Sequence, residues 1–390
     1  MPAFRLGINY WPARTAMAMW TRFDIEAIDR DFARIAAAGL RSVRFFLLWE
    51  TFQPEDDRID RDALLKLEQM LERLAAHGLR GMPTLFCGHM SGVNWLPRWT
   101  LDRGVPSGRF RTIANGRLEP WGIGDFYARG PLFDAQRFAV RTIGSHFRGN
   151  EAIEAWDLGN EFSNLAIPKS VADGLSWSET LSRELFAASS IPVTGGLHGE
   201  DLEEDRNIRP SAICAPWEFA TIHGYSAYAT FARDRLDPEV VPFLYELVAS
   251  FSNKRVLVSE FGNPECPADG PNLSGHPCLS EPEMASYAAA VLERLQRRGA
   301  LGAYWWCYTD YDPRLRDTPP FDRAPHELRF GAWRADGTPK PVAGVLSRVA
   351  RAAQEVVPAR PDAAIESDYY TAPMDVKERY ADFLRKRSRA

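Results

Sequence analysis

Short apolar runs rich in β-branched and aromatic residues alternate along this chain with longer stretches whose apolar positions recur every three to four residues. The first pattern fits a buried strand and the second an amphipathic helix, so the alternation reads as repeated βα units. Strands are predicted over residues 4–11, 42–49, 80–86, 153–161, 192–197, 221–225, 255–262 and 302–310. Helices are predicted over 24–38, 61–77, 135–147, 178–188, 238–252, 281–298 and, after the last strand, 341–354. Gly39, Gly78 and Gly299 stand just past three of these, where a helix commonly ends in a left-handed residue. Eight strands, seven of them trailed by a helix, fit a closed α/β architecture, a (β/α)8 TIM barrel, better than an open sheet.

Residues 1–357 are expected to form one catalytic domain, because an α/β barrel commonly uses this length as a single unit. The rest, 358–390, is polar and mixed in charge, with a helical pattern over 374–386. This extension of unknown role could pack on the barrel, contact another subunit or stay disordered; a homo-oligomer is left open. The connections after strands are the long ones, above all 88–134 after the third, 263–280 after the seventh and 311–337 after the eighth. Long loops at that end are where such barrels hold their sites.

Two strands finish in a carboxylate. The fourth reads Trp156-Asp157-Leu158-Gly159-Asn160-Glu161 and the seventh Val256-Leu257-Val258-Ser259-Glu260-Phe261-Gly262. A carboxylate at the end of a buried strand is unfavourable unless it is paired or functional. One such glutamate could belong to a structural ion pair; two on different strands point to chemistry that needs a pair. Acetal hydrolysis is such a chemistry: one protonated carboxyl assists the leaving oxygen while an ionised one faces the anomeric carbon. A separation of about 5–5.5 Å gives retention of configuration and about 6.5–9.5 Å gives inversion. Asn160, beside the first glutamate, could donate its amide to a substrate hydroxyl.

These segments identify a resemblance to glycoside hydrolase family 5, within the clan of retaining barrel glycosidases, over roughly the first 340 residues in strand order. Asn160-Glu161 followed by Glu260 carries most of it, and the resemblance implies Glu161 as general acid/base and Glu260 as nucleophile. It further implies that Arg44, in Val43-Arg44-Phe45-Phe46, holds the nucleophile, that His223 and Tyr225 flank it, and that Trp306 forms a platform under the sugar. Taken singly, Arg44 could be a salt-bridged barrel residue and His223 or Trp306 could be core. His89 resembles a histidine near the sugar, and Trp11 is a candidate wall of the innermost subsite. Trp95, Trp99 and Trp121 could add stacking or simply stabilise their loop, while Glu50 and Gln53-Pro54 read as structural. Leu6-Gly7-Ile8-Asn9-Tyr10-Trp11-Pro12 and Trp305-Trp306-Cys307-Tyr308 resemble the mannose-active, exo-acting branches, which implies a β-mannosidase or β-mannanase. β-Glucosidase, cellulase and β-galactosidase activities remain alternatives, as does a carbohydrate-binding barrel that does not catalyse.

Composition narrows the partners. A net charge of −5 and a pI near 5.9 leave no basic face for nucleic acid or an anionic membrane, so a neutral glycoside or oligosaccharide fits better. Twelve Trp, 12 Tyr and 22 Phe supply rings on which sugars stack. No apolar run approaches the roughly 20 residues of a membrane-spanning helix. The residues after Met1 lack the marks of a leader, so a cytoplasmic protein is expected. Seven histidines show no H-x-x-x-H or H-x-H spacing, so neither a metal nor another cofactor is expected. Five scattered cysteines argue against a disulfide framework, although Cys266 and Cys278 bracket a loop and could pair locally.

Overall fold

The computed structural model describes residues 3–267, 272, 275–357, 366–370 and 375–387. Its predicted strands appear in order: β1 (Arg5–Tyr10), β2 (Ser42–Leu48), β3 (Arg80–Cys87), β4 (Trp156–Asn160), β5 (Val193–Gly196), β6 (Ala220–Gly224), β7 (Val256–Phe261) and β8 (Gly302–Trp305). They form one parallel sheet in the order β5-β4-β3-β2-β1-β8-β7-β6. Between its outer members Glu218 N donates to Val193 O at 2.9 Å and His223 N to Leu197 O at 2.9 Å, which closes the sheet into the expected barrel. Every residue of β2, β4, β5, β6, β7 and β8 is buried, as strands packed on both faces require.

Among the described residues seven long helices follow the strands: α1 (Ile25–Ala37), α2 (Arg61–Ala76), α3 (Pro131–His146), α4 (Val171–Ser189), α5 (Val240–Ser252), α6 (Glu281–Arg297) and α7 (Pro341–Ala352). Asp24 and Asp60 cap the first two by accepting from Ala27 N and Ala63 N, and Gly39 and Gly78 behind them take positive φ. Helix α4 starts seven residues before the predicted 178, because Ser170 caps Asp173 N and Gly174 is tolerated in the first turn. The long stretch after β3 is not an unstructured loop: His89–Met90, Val93–Trp95, Arg111–Ala114 and Arg117–Glu119 form a four-stranded sheet, and Leu101–Pro106 pairs with Trp121–Ile123. Its strands are too short to show a clear periodicity. Strands β4 and β8 end sooner than predicted, which leaves Glu161 and Trp306 just beyond the ladder, on backbone free to turn toward the barrel mouth.

Cys266 and Cys278 are joined in a disulfide, and Cys87, Cys214 and Cys307 are buried thiols. No helix among the described residues is long and apolar enough to cross a membrane. The extension supplies two helices, α8 (Glu366–Tyr370) and α9 (Val376–Arg387); residue 374, where the predicted helix begins, lies outside the described residues. Both helices lie on the barrel. Tyr369 and Tyr370 donate their hydroxyls to Leu202 O (2.6 Å) and Asp201 O (2.9 Å), in the turn after β5. Tyr380 packs its ring on Phe231 and Phe243 and donates to Asp237 Oδ2 at 2.8 Å. Truncating a buried aromatic to alanine costs about 3–5 kcal/mol, so Tyr380→Ala should lower the urea midpoint of the full chain sharply. Tyr380→Phe, which removes only the hydroxyl, should cost about 1 kcal/mol by the same measurement.

Candidate active site

Arg44 points from β2 into the barrel interior and is 0% exposed. Its Nε donates to Asp157 Oδ2 (2.8 Å), its Nη1 to Asn9 Oδ1 (3.1 Å) and Glu260 Oε1 (2.5 Å), and its Nη2 to Asn160 Oδ1 (3.0 Å). The Phe46 ring lies 4.7 Å below the guanidinium carbon. A guanidinium has five donors and no acceptor, and here three other strands supply the acceptors around it. Asp157 also accepts from Thr84 Oγ1 (2.8 Å) and Gly159 N (3.1 Å), so the second buried carboxylate is met as well.

Glu260 is held from both sides. Arg44 takes Oε1, and the Tyr225 hydroxyl donates to Oε2 at 2.5 Å. Asn9 Nδ2 donates to Ser259 O at 2.9 Å and pins the backbone one residue earlier. Glu161 stands under different constraints. Its backbone is left-handed (φ 45°, ψ 48°) at the head of the turn Phe162–Asn164, a conformation that costs a non-glycine residue about 1–3 kcal/mol and is kept where the surroundings determine it. Its Oε2 accepts from Asn164 Nδ2 (3.2 Å), and its Oε1 shares a 2.9 Å hydrogen bond with His223 Nδ1. His198 Nε2 and His89 Nε2 stand 3.5 and 3.8 Å from the same carboxyl. Burial pushes the Glu161 carboxyl above its ordinary range. Burial also pushes His89 and His223 down to about 4, so both are neutral near pH 7.

His223 Nδ1 also lies 3.6 Å from Glu260 Oε2, and one oxygen of each glutamate and a nitrogen of His223 all fall within 4.8 Å of one another. Such a trio can hold a cation, and no histidine spacing in the sequence signalled it because its members come from three strands. The guanidinium on Glu260 already supplies the positive charge that its carboxylate needs.

The pair opens into a cavity of about 450 Å³ lined by His89, Asn160, Glu161, His223, Tyr225, Glu260 and Trp306 among others. The lining comes from the ends of β3 to β8 and the loops after them, and none from the loops after β1 or β2. Trp11 therefore departs from its expected place as a subsite wall: it is 1% exposed and stacks behind Phe46, whose edge meets Trp306. Trp95, Trp99 and Trp121 do not line the cavity either. Trp99 donates to Gln53 O and packs on Trp49, while Gln53 ties Trp49 to Asp56 and Ala135, in keeping with a structural role. Asn160 spends one amide hydrogen on His89 O (3.0 Å) rather than leaving both for substrate. His89 Nδ1 donates to Asn94 Oδ1 (2.7 Å), which leaves Nε2 as the acceptor that faces Glu161.

Two arginine clamps roof the cavity. Arg109 bonds both Glu200 oxygens (2.9 and 2.7 Å) and Arg111 pairs with Asp322, so the β3 excursion is tied to the loops after β5 and β8. Burial acts to raise Glu200, yet Arg109 and Arg206 hold it at about 2. Sequence reasoning missed His198, Glu200, Tyr228 and Glu327, all of which line the site. His198-Gly199-Glu200, directly past β5, carried a readable signal of polar residues at a strand end; Glu327, in a long loop, carried none.

Arg44→Met would leave Asp157 and Glu260 buried without their cation, at a cost of about 3–5 kcal/mol. Urea unfolding of the variant beside the wild type checks the size.

No family model matches the chain, and no curated protein does. Solved structures do. The exo-β-1,4-mannosidase Op5Man5 from Opitutaceae bacterium strain TAV5 superposes with a TM-score of 0.73 at 23% identity, over 90% of this chain and 59% of that one. The chain thus spans little more than half the length of that enzyme. A GH5_18 structure from Streptomyces cattleya in complex with GlcNAc gives 0.76 at 20% identity, over 92% and 82%. A glutamate-to-alanine form of GH5_18 from Bifidobacterium longum subsp. longum ATCC 55813, in complex with Manβ1-4GlcNAc, gives 0.75 at 21%, over 92% and 80%. At these identities the likeness establishes the architecture: this chain is a (β/α)8 barrel built as those structures are.

Proposed function

We propose that the chain is a retaining β-glycosidase of glycoside hydrolase family 5, an exo-acting β-mannosidase that removes single residues from short β-linked oligosaccharides. The observation that carries this reading is the pair itself. One oxygen of Glu161 and one of Glu260 lie within 4.8 Å of each other, which fits the carboxyl separation of about 5–5.5 Å for direct attack better than the roughly 6.5–9.5 Å that admits a water. Their surroundings also differ in the required sense. Burial favours the protonated form of Glu161, while a guanidinium and a phenol are aimed at the oxygens of Glu260.

In the first step Glu260 attacks the anomeric carbon and Glu161 gives its proton to the departing oxygen, leaving a glycosyl ester on Glu260. Glu161, now ionised, takes a proton from water as that water opens the ester, and both carboxyls return to their starting states. Tyr225 and Arg44 position the nucleophile, and Trp306 offers its face to the sugar. Exo action is supported by the roofed cavity without lining from the β1 and β2 loops, which suits a chain end rather than the middle of a polymer. The mannose assignment draws on the resemblance of Leu6–Pro12 and Trp305–Tyr308, and on neighbours whose names carry exo-β-1,4-mannosidase and Manβ1-4GlcNAc.

Among p-nitrophenyl β-mannoside, glucoside, galactoside and xyloside, the mannoside should be cleaved fastest, and manno-oligosaccharides and Manβ1-4GlcNAc should release single mannose units. Silence across the whole panel would favour the non-catalytic carbohydrate-binding barrel. Glu260→Ala should lose turnover on the aryl glycoside and regain it with azide, giving a glycosyl azide of inverted configuration seen by NMR. Since the acid must be protonated, kcat/KM should fall as pH rises through the raised pKa of Glu161, and this basic limb should vanish in Glu161→Gln. Prolonged EDTA treatment should leave the rate unchanged; a loss restored by a divalent ion would assign the Glu161–His223–Glu260 trio to a metal.

A further inference from the structure

The cavity is lined by three carboxyls that the double displacement does not use, Glu200, Glu203 and Glu327, of which Glu327 is the buried one. Glu327 lies in the turn Pro325–Arg329 of the loop after β8, is 8% exposed and lines the cavity. Ser91 Oγ, on the β3 excursion, donates to its Oε2 at 3.0 Å, and the Tyr228 hydroxyl, after β6, donates to its Oε1 at 3.2 Å. His326 Nε2 is 3.6 Å from Oε1 and 3.0 Å from the Tyr228 oxygen. Among the described residues no Lys or Arg lies within ion-pair distance of it. Glu200 on the opposite wall differs, since two arginines neutralise it.

Glu327 also mirrors the proposed nucleophile. Tyr225 and Tyr228, with ring centroids 5.4 Å apart, each give a hydroxyl to one carboxyl, Glu260 and Glu327 respectively. A carboxylate offers roughly four acceptor positions, and the two neutral hydroxyls fill only two. Burying a carboxyl without a cation is unfavourable, and a residue that merely stapled three loops would do so better as an amide. Burial, with repulsion from Glu260 and Glu161, pushes Glu327 up to about 7, so it can accept or donate near neutral pH. Neutral hydroxyls suit such a group, because each can donate to its ionised form and accept from its protonated form; an ammonium could only donate.

We infer that Glu327 is a specificity-determining residue that grips neighbouring hydroxyls of the sugar ring bound in the cavity, oriented for this by Ser91 and Tyr228. This rests on the glycosidase reading above. It does not require that the sugar be mannose.

The test compares the full-length wild type with Glu327→Gln on the best aryl β-glycoside and on its mono-deoxy analogues, after thermal melts confirm folding. For the parent glycoside, KM should rise at least tenfold with a smaller change in kcat. The deoxy analogue that lacks the gripped hydroxyl should be nearly indifferent to the substitution, so the wild-type preference for parent over that analogue collapses. An equal loss on every analogue, or no loss, would overturn the inference in favour of a loop staple. Should Glu327→Gln fail to fold, Tyr228→Phe removes one orienting donor and should reproduce the collapse in weaker form; preserved discrimination would overturn it. A 2-deoxy-2-fluoro glycoside separates this from failure of the catalytic reading, which would show as no covalent mass gain on wild-type Glu260. In that event calorimetric binding of the same sugars decides: Glu327→Gln must weaken the parent sugar selectively, and unchanged or uniformly weakened binding overturns the proposal.

Discussion

The burial of one cation at the centre of the barrel is the constraint on which the site depends. Arg44 cannot give up its charge, so the fold must surround it with acceptors, and it does so with Asn9, Asp157, Asn160 and Glu260 from three other strands. Each acceptor is thereby fixed in direction. Glu260 and Asp157 together carry more negative charge than Arg44 balances, and the surplus is met by hydroxyls and amides: Tyr225 on one carboxylate, Thr84 and the Gly159 amide on the other. A pair broken by removing one partner is far worse than a pair never buried. That asymmetry locks β1, β2, β4 and β7 into a common register at the mouth.

The same arrangement separates the two glutamates chemically. Glu260 sits against a full positive charge, whereas Glu161 faces imidazoles that burial keeps neutral. Burial raises the Glu161 carboxyl, and its neighbours offer no full charge to oppose that as the guanidinium does beside Glu260. His223 Nδ1 reaches both carboxyls, 2.9 Å from Glu161 Oε1 and 3.6 Å from Glu260 Oε2. The left-handed backbone at Glu161 belongs to this geometry, since it turns the side chain off the end of β4 toward Glu260.

Around this centre the loops act as walls held by charge. The β3 excursion buries Met90, Val93, Leu96 and Ile113 and is secured at its tip by Arg109 to Glu200 and Arg111 to Asp322. The turn carrying His198 and Glu200 is braced from behind by Tyr369 and Tyr370 of the extension, which links the last helices to the cavity wall through two backbone carbonyls. The extension is thereby part of the barrel's packing.

The order of strands and helices, the two terminal glutamates and Arg44 could be read along the chain, because buried strands and amphipathic helices impose local periods and because a charge inside an apolar run stands out. Glu161, Glu260, Arg44, His223, Tyr225 and Trp306 converge at the barrel mouth. Trp11 did not: its neighbours in sequence place it at the right end of β1, but only packing decides that Phe46 stands between it and the cavity. Glu327 and the arginine clamps were equally hidden, since their meaning lies in partners far along the chain or in loops with no period. Local backbone preferences act over a few residues and leave a trace in the sequence. Distances between loop side chains are set by the closure of the whole barrel, and only the tertiary structure decides them.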